Sequence, residues 1–334
     1  MNLKLGQTID GYELLDFVDS STERISFRVK NLDTGQFEQL QVLPDSLQED
    51  PERAERFLRE IRILASLSHL NIVTCRGAVQ IDGQWAMTTE LTEGVTLAER
   101  LELGAMVVPE AVEFFRQILS AVACAHAHGV IHREITPRNI LVTPDRVAKL
   151  TGFTYAKSPA DLGLTQVGTI IGDVEFMSPE QVRGLGGLDG RSDIYSLGAV
   201  LYAMLTGKPA FHSVSQFDIM LAQVNQEPAP PSKLNPNVPA ALDYLVLRAL
   251  SKQAEQRFQS AQEFLLELDA VVAALKIEVG PAPAAGLAPS RAEAVGEAPP
   301  VLLPEPPWFL PAVLFSVLFL IVAILAITQL SRGN

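Results

Sequence analysis

Residues 129–153 read GVIHREITPRNILVTPDRVAKLTGF, and this stretch decides how the rest of the chain is understood. It packs His132, Arg133, Glu134 and Asn139 into eight positions between apolar flanks. With His126 and His128 upstream, His132 suggests a metal cluster at first sight. No acidic or thiol ligand stands at zinc-site spacing beside them, so the histidines read as structural and turn residues. Upstream, residues 109–128 place Val112, Phe115, Leu119 and Val122 on one stripe, the period of a helix with a single buried face. Downstream, 193–206 and 260–276 read as further helices, the last opened by a Ser260…Glu263 capping box.

The first ninety residues differ. Short apolar or alternating runs are punctuated by turn signals at Asp33-Thr34-Gly35 and Asp82-Gly83, as hairpins require. One helix interrupts them, opening at Asp50-Pro51 with an N-cap and a proline at its first position. Phe57, Ile61 and Leu64 recur along its buried face. A strand-rich first part and a helical second part predict an α+β, two-lobed body over 1–278, divided near residues 90 and 91.

Composition limits what such a body does. The 334 residues are 48% hydrophobic and 19% charged, enough apolar material for a buried core. The net charge of −13 is spread along the chain and favours solubility, and no clustered basic surface suggests nucleic acid. Two cysteines, Cys75 and Cys124, have neither metal nor disulfide spacing. They read as small core residues in a reducing compartment.

The two ends carry different signals. Met1–Leu15 lacks the basic and apolar regions of a signal peptide. Residues 279–307, rich in Pro, Ala, Gly and Glu, have no helical or strand period and read as a linker. Residues 309–330, FLPAVLFSVLFLIVAILAITQL, hold no charge for 22 positions. As a helix they span about 33 Å, the thickness of a bilayer core. With Trp308 at the interface, 308–330 is expected to be a single transmembrane helix ahead of the tail 331–334. Arg332 alone is a weak guide to orientation, and a folded domain with no export signal places 1–278 in the cytoplasm. Ala312 and Ser316 form a small-xxx-small pair that permits close helix packing and a dimer.

With its flanks in view, the opening stretch resembles the bacterial serine/threonine protein kinases of the eukaryotic type, whose catalytic loop H-R-D-x-K-P-x-N is closely followed by D-F-G. The resemblance covers nearly all of 10–275 in the family's order. Glu60 fits the glutamate of the third-helix motif, Thr89 the gatekeeper, and Glu90–Leu97 the hinge. Met177-Ser178-Pro179-Glu180 fits the end of the activation segment, and Asp193 the start of the central helix of the second lobe. Arg257 fits the partner of Glu180. The resemblance implies a bilobal kinase fold in which His132, Arg133, Glu180, Asp193 and Arg257 are scaffold. Such buried charges are kept because each has a partner.

The same resemblance places replacements at the working positions. Phosphoryl transfer needs a held triphosphate, a held Mg²⁺ and an oriented hydroxyl. The glycine-rich loop is matched by Asp19-Ser20-Ser21-Thr22-Glu23-Arg24, without glycine. Gln41 stands at the phosphate-gripping lysine, which would leave Glu60 without an ion-pair partner. Glu134 replaces the catalytic aspartate and Thr136 the catalytic-loop lysine. Gly152 replaces the principal Mg²⁺ carboxylate, leaving Asn139 as the possible second ligand. An amide alone is a poor site for a hard cation.

A membrane-anchored pseudokinase is therefore expected, needing no cofactor and binding protein partners such as an active kinase or its substrates. Two alternatives stand beside it. One is an unconventional kinase using ATP and Mg²⁺ through Glu134, Asn139 and Arg24, with Arg24 taking the lysine's task from the third-glycine position. The other is a nucleotide sensor, because an apolar adenine slot needs no charge. Thr165 and Thr169 are candidate phosphosites, with Arg133 available to pair with a phosphate.

Overall fold

The computed structural model describes residues 3–20, 24–43, 50–81, 84–158 and 173–277. The chain divides into Met1–Gly286 and Leu287–Asn334, and all described residues lie in the first unit. The expected linker and membrane helix, 279–330, lie outside the described residues. Among the described residues no helix is long and apolar enough to cross a membrane.

Six strands build the first lobe: β1 (Thr8–Ile9), β2 (Tyr12–Ser20), β3 (Ile25–Asn31), β4 (Phe37–Val42), β5 (Cys75–Ile81) and β6 (Gln84–Glu90). They pair antiparallel in the order β1-β2-β3-β4-β6-β5. The Asp33-Thr34-Gly35 turn joins β3 to β4 as expected, and Asn31 Oδ1 accepts the Asp33 and Thr34 N–H groups there. Alternation gives the sheet two faces. Phe27, Val29, Leu40 and Val42 pack with Leu14, Ile81 and Ala86 into one apolar cluster. The residues between them point to the opposite face.

Helix α1 (Pro51–Ser66) follows β4. Asp50 caps it, accepting from the Glu52 N–H at 3.0 Å, and Pro51 occupies the first turn, where its missing N–H costs nothing. Its buried residues Phe57, Ile61 and Leu64 join the large core that runs into the second lobe.

That lobe is helical. A small sheet, β7 (Val95–Thr96), β8 (Ile140–Val142) and β9 (Ala148–Leu150), sits below the first lobe. The helices are α2 (Leu97–Glu102), α3 (Val108–Ala127), α4 (Pro179–Val182), α5 (Gly190–Thr206), α6 (Gln216–Asn225), α7 (Pro231–Leu234), α8 (Ala240–Ala249) and α9 (Ala261–Leu275). Residues Ser192–Leu205 of α5 are all buried, which makes it the central helix. Phe264 of α9 locks onto α3 through Phe115, edge-on at 5.3 Å, and stacks on Phe258 at 4.2 Å. The N-terminus of α9 forms half of the expected capping box. Ser260 Oγ accepts the Glu263 N–H at 3.0 Å, but the Glu263 carboxylate takes the Gln259 N–H instead. The two-lobed α+β expectation thus holds for the described residues. Cys75 and Cys124 are only partly buried and both are free.

Candidate functional site

The candidate site lies where the first lobe meets the second, and it begins with Arg24. Its guanidinium donates to Gln41 Oε1 at 2.8 Å, pairs with the Glu60 carboxylate, and donates to Thr154 Oγ1 at 2.5 Å. Thr154 in turn donates to Glu60 at 3.1 Å. Four elements are tied together by one side chain: the lead into β3, β4, α1 and the turn after β9. The expectation that Gln41 leaves Glu60 without an ion-pair partner is corrected here. Glu60 is 1% exposed, and a carboxylate so buried needs a cation. The planar fork of an arginine reaches three acceptors where a lysine would make one point contact. The Arg24 guanidinium also lies 5.7 Å over the Phe57 ring, which sets its plane.

The catalytic-loop stretch is anchored from beneath by Asp193. Its carboxylate accepts the His132 N–H at 2.9 Å, the Arg133 N–H at 2.8 Å and the His126 ring at 2.8 Å. Arg133 has φ +68°, a left-handed conformation costly for a residue with a Cβ and held here by these bonds. Burial pushes the Asp193 carboxyl upward, but the hydrogen bond and charge of His126, with His132, outweigh it and hold it below the ordinary aspartate range. Burial pushes the His132 imidazole down, against Asp193, so the ring is neutral at pH 7. His132 Nε2 bonds the Thr151 carbonyl at 2.9 Å, and its ring packs 4.6 Å from Phe153. His128 Nδ1 bonds the Cys124 carbonyl, so the three histidines do not converge.

At the top of this loop sit Glu134, Thr136, Asn139 and Gly152. The Glu134 N–H donates to His132 Nδ1 at 3.2 Å, and its carbonyl accepts from Asn139 Nδ2 at 2.9 Å. Thr136 is buried. Gly152 has φ +78°, and a Cβ added there would lie 2.5 Å from Asn139 Oδ1 and 2.8 Å from its Nδ2. The Asn139 amide thus occupies the space that any side chain at 152 would enter. Mg²⁺ takes near-octahedral oxygen ligands, commonly one or two carboxylates besides water and phosphate. Gly152 offers no donor and Asn139 one carbonyl, so this pair does not fit the ion.

On the hinge side, Glu90 braces the lobes. Its Oε1 accepts from the Thr74 N–H at 2.9 Å and from Lys149 Nζ at 2.7 Å. Thr89, on the opposite face of β6, is 1% exposed, and among the described residues its Oγ1 has no hydrogen-bond partner. Thr89 stands directly across from Gln39, and Gln39 from Arg28. Sequence reasoning named Thr89 but missed Gln39 and Arg28. The signal was there: Arg24, Ser26, Arg28 and Lys30 alternate with Ile25, Phe27 and Val29.

Farther down, Arg257 Nη1 and Nη2 grip the two Glu180 oxygens at 2.7 and 2.9 Å, and Ser192 adds a third bond at 2.8 Å. Burial pushes the Glu180 carboxyl up, and the bonds and charge of Arg257 with Ser192 more than reverse it. Residues 21–23 of the glycine-free loop, and Thr165 and Thr169, lie outside the described residues.

A sheet lobe over a helical lobe, with a helix glutamate tied into the cleft and a loop strapped to a buried aspartate, defines a protein-kinase fold. Residues 25–267 match the protein kinase domain family, and the chain belongs to it. The serine/threonine-protein kinase PknB of Mycolicibacterium smegmatis is 34% identical over 251 residues, covering 73% of this chain and 39% of that protein. PknB of Mycobacterium tuberculosis is 36% identical over 236 residues, covering 69% of this chain and 38% of that protein. The chain spans well under half the length of these relatives.

Proposed function

We propose that this chain is a membrane-anchored pseudokinase that acts by binding protein partners, an active serine/threonine kinase or its substrates. The observation that carries this reading is Gly152: no carboxylate stands there, and the Asn139 amide fills the space one would need. The Arg24 network supports it from the other side of the cleft, because it satisfies Glu60 with groups of the chain itself. The helical lobe would present the partner surface, and 308–330 would hold it at the cytoplasmic face of the cell membrane.

A second reading has its own support. The relatives are serine/threonine kinases by name, and Arg24 reaches Glu60 as a relocated phosphate-gripping cation would. The chain would then be a kinase of low activity, with Glu134 as its base. One assay separates the two. Full-length chain is incubated with ATP labelled on its γ-phosphate, with Mg²⁺ or Mn²⁺ and a general protein substrate. The pseudokinase reading expects no incorporation above that of Glu134→Ala, whereas label lost on that substitution would sink it.

A further inference from the structure

Between α1 and the turn after β9 lies a hollow of about 310 Å³, partly open to solvent. Its walls include Arg24 at the lead into β3, Leu43 past the end of β4, Arg53, Arg56 and Phe57 on α1, and Tyr155. Gln41, Glu134, Asn139 and Gly152 do not line it, so it is distinct from the cleft site described above. Arg133, the candidate partner of a phosphorylated activation segment, does not line it either. Neither reading of the function uses the two α1 arginines.

Arg53 and Arg56 are one helical turn apart and so are neighbours on the α1 surface. The Arg56 guanidinium lies 5.6 Å over the Tyr155 ring and that of Arg24 5.7 Å over the Phe57 ring. Two guanidiniums are thus set by aromatic faces of the same hollow. Among the described residues no carboxylate lines it, in a chain with 39 acidic and 26 basic residues. The carboxylates that pair with the α1 arginines stand elsewhere: Asp50 with Arg53 and Glu52 with Arg56, 46% and 50% exposed. Exposed pairs of this kind contribute little, so an anion in the hollow displaces them at small cost. Arg24 stays with the buried Glu60 and adds a fixed positive charge behind the other two.

Three guanidiniums around one space suit a dianion, and arginine grips phosphate oxygens two at a time. Leu43, Phe57 and Tyr155 ask for an apolar group beside that charge. The volume is at the low end of ligand pockets, roughly 300–1,000 Å³, which leaves room for a small ester. We infer that this hollow binds a phosphate monoester carried on a short apolar body, clamped by Arg53 and Arg56 against Arg24. Such an ester arrives either as a phosphorylated side chain of a partner or as a free phosphorylated small molecule. The assignment adds a ligand to the partner-binding reading and does not depend on it.

The test is thermal unfolding of the full-length chain, first treated with phosphatase and freed of that enzyme, so that no phosphate of its own competes. The probes are inorganic phosphate, phenyl phosphate and a blocked tripeptide centred on phosphothreonine, with ionic strength matched by chloride. At least one ester should raise the unfolding temperature saturably, by about 5 °C at a hundred times its dissociation constant, and by more than inorganic phosphate does. A stronger response to the peptide assigns a phosphorylated side chain as the source, and a stronger response to phenyl phosphate assigns a free ester. Arg56→Gln should abolish the shift and Arg53→Gln should weaken it. Arg62→Gln, the same loss of charge at an exposed position of α1, should keep it. The unfolding temperature of each variant without ligand shows that it is folded. No ester response in the parent chain would overturn the assignment. So would shifts that persist in Arg56→Gln, since excluded salts stabilise proteins without a site. An equal response to inorganic phosphate would mark an adventitious ion only, and an equal loss in Arg62→Gln would mark a general effect of charge; either ends the assignment. Phosphoryl transfer is not read here, so failure of this assignment and failure of the pseudokinase reading are separate results.

Discussion

At Asp193 one buried carboxylate organises two histidines and the left-handed Arg133, and that arrangement makes the fold sensitive to acid. His132 is fully buried and held neutral, below its ordinary value near 6.5, because burial outweighs the attraction of Asp193. When the pH falls through about 6.5, the unfolded chain takes up a proton at this ring and the folded chain does not. Stability then rises with pH in that window, and it is lost going downward at about 1.4 kcal/mol per pH unit until the folded value is reached. His69 is shifted the same way by burial, but it is only partly buried and adds less. Asp193 acts in a lower window. Its depressed carboxyl contributes stability that is complete above the ordinary aspartate range and is lost as pH falls through the folded value. Urea midpoints should therefore drop between pH 7.5 and 5.5 in the parent chain. His132→Asn, whose amide can still donate to the Thr151 carbonyl, should flatten that slope, and an equal slope in both proteins would show that His132 is not its source.

At the scale of elements, α1 is the piece whose position depends on one side chain. Its Glu60 lies among Arg24, Gln41 and Thr154, and removing one partner of a buried pair typically costs about 3–5 kcal/mol. The Arg24 side chain is 17% exposed, so the lower end of that range applies. Arg24→Ala should accelerate amide exchange along Pro51–Ser66 while α5 and α9 stay protected. Adding Gln41→Lys should restore protection, because a lysine on β4 points to the same carboxylate. If α1 exchanges equally in parent and Arg24→Ala, the network does not hold the helix. The sequence shows why α1 exists: Asp50 and Pro51 start it, and Phe57, Ile61 and Leu64 give it a face. Local signals of this kind also disclosed α3, α5, α9 and the β3–β4 turn. They did not disclose the Arg24–Glu60 pair, which joins residues 36 apart, with Thr154 a further 94 along. Motif matching offered Arg24 as a stand-in for the lysine toward phosphate, but it read Gln41 as leaving Glu60 without an ion-pair partner. The row Arg28–Gln39–Thr89 was hidden for a similar reason. Alternation fixes a side chain's face, but cross-strand register comes only with the fold.

For the whole molecule, the question is where a domain of this charge works. The chain has 39 acidic and 26 basic residues, a net charge that keeps a soluble domain dispersed and disfavours adsorption to an anionic lipid surface. The net charge therefore argues against a peripheral, electrostatic hold on the membrane, and the anchor we propose is the uncharged run 309–330, which has transmembrane length. Leu, Ile, Phe and Val each favour insertion by about 0.3–0.6 kcal/mol at a helix centre, and this run is composed mostly of them. Attachment by such a helix does not respond to salt, whereas attachment by charge weakens as screening shortens its reach. In cell fractionation the full chain should sediment with membranes, stay there in high salt and alkaline carbonate, and enter solution only with detergent. A chain ending at residue 278 should be soluble in low salt, because nothing in its net charge draws it to lipid. Release of the full chain by salt alone would contradict a spanning helix, and membrane retention of the shortened chain would place the attachment in the kinase-like domain itself. Added protease outside intact cells should leave the domain uncut, since 1–278 is expected on the cytoplasmic side, where kinase partners and their substrates are reached.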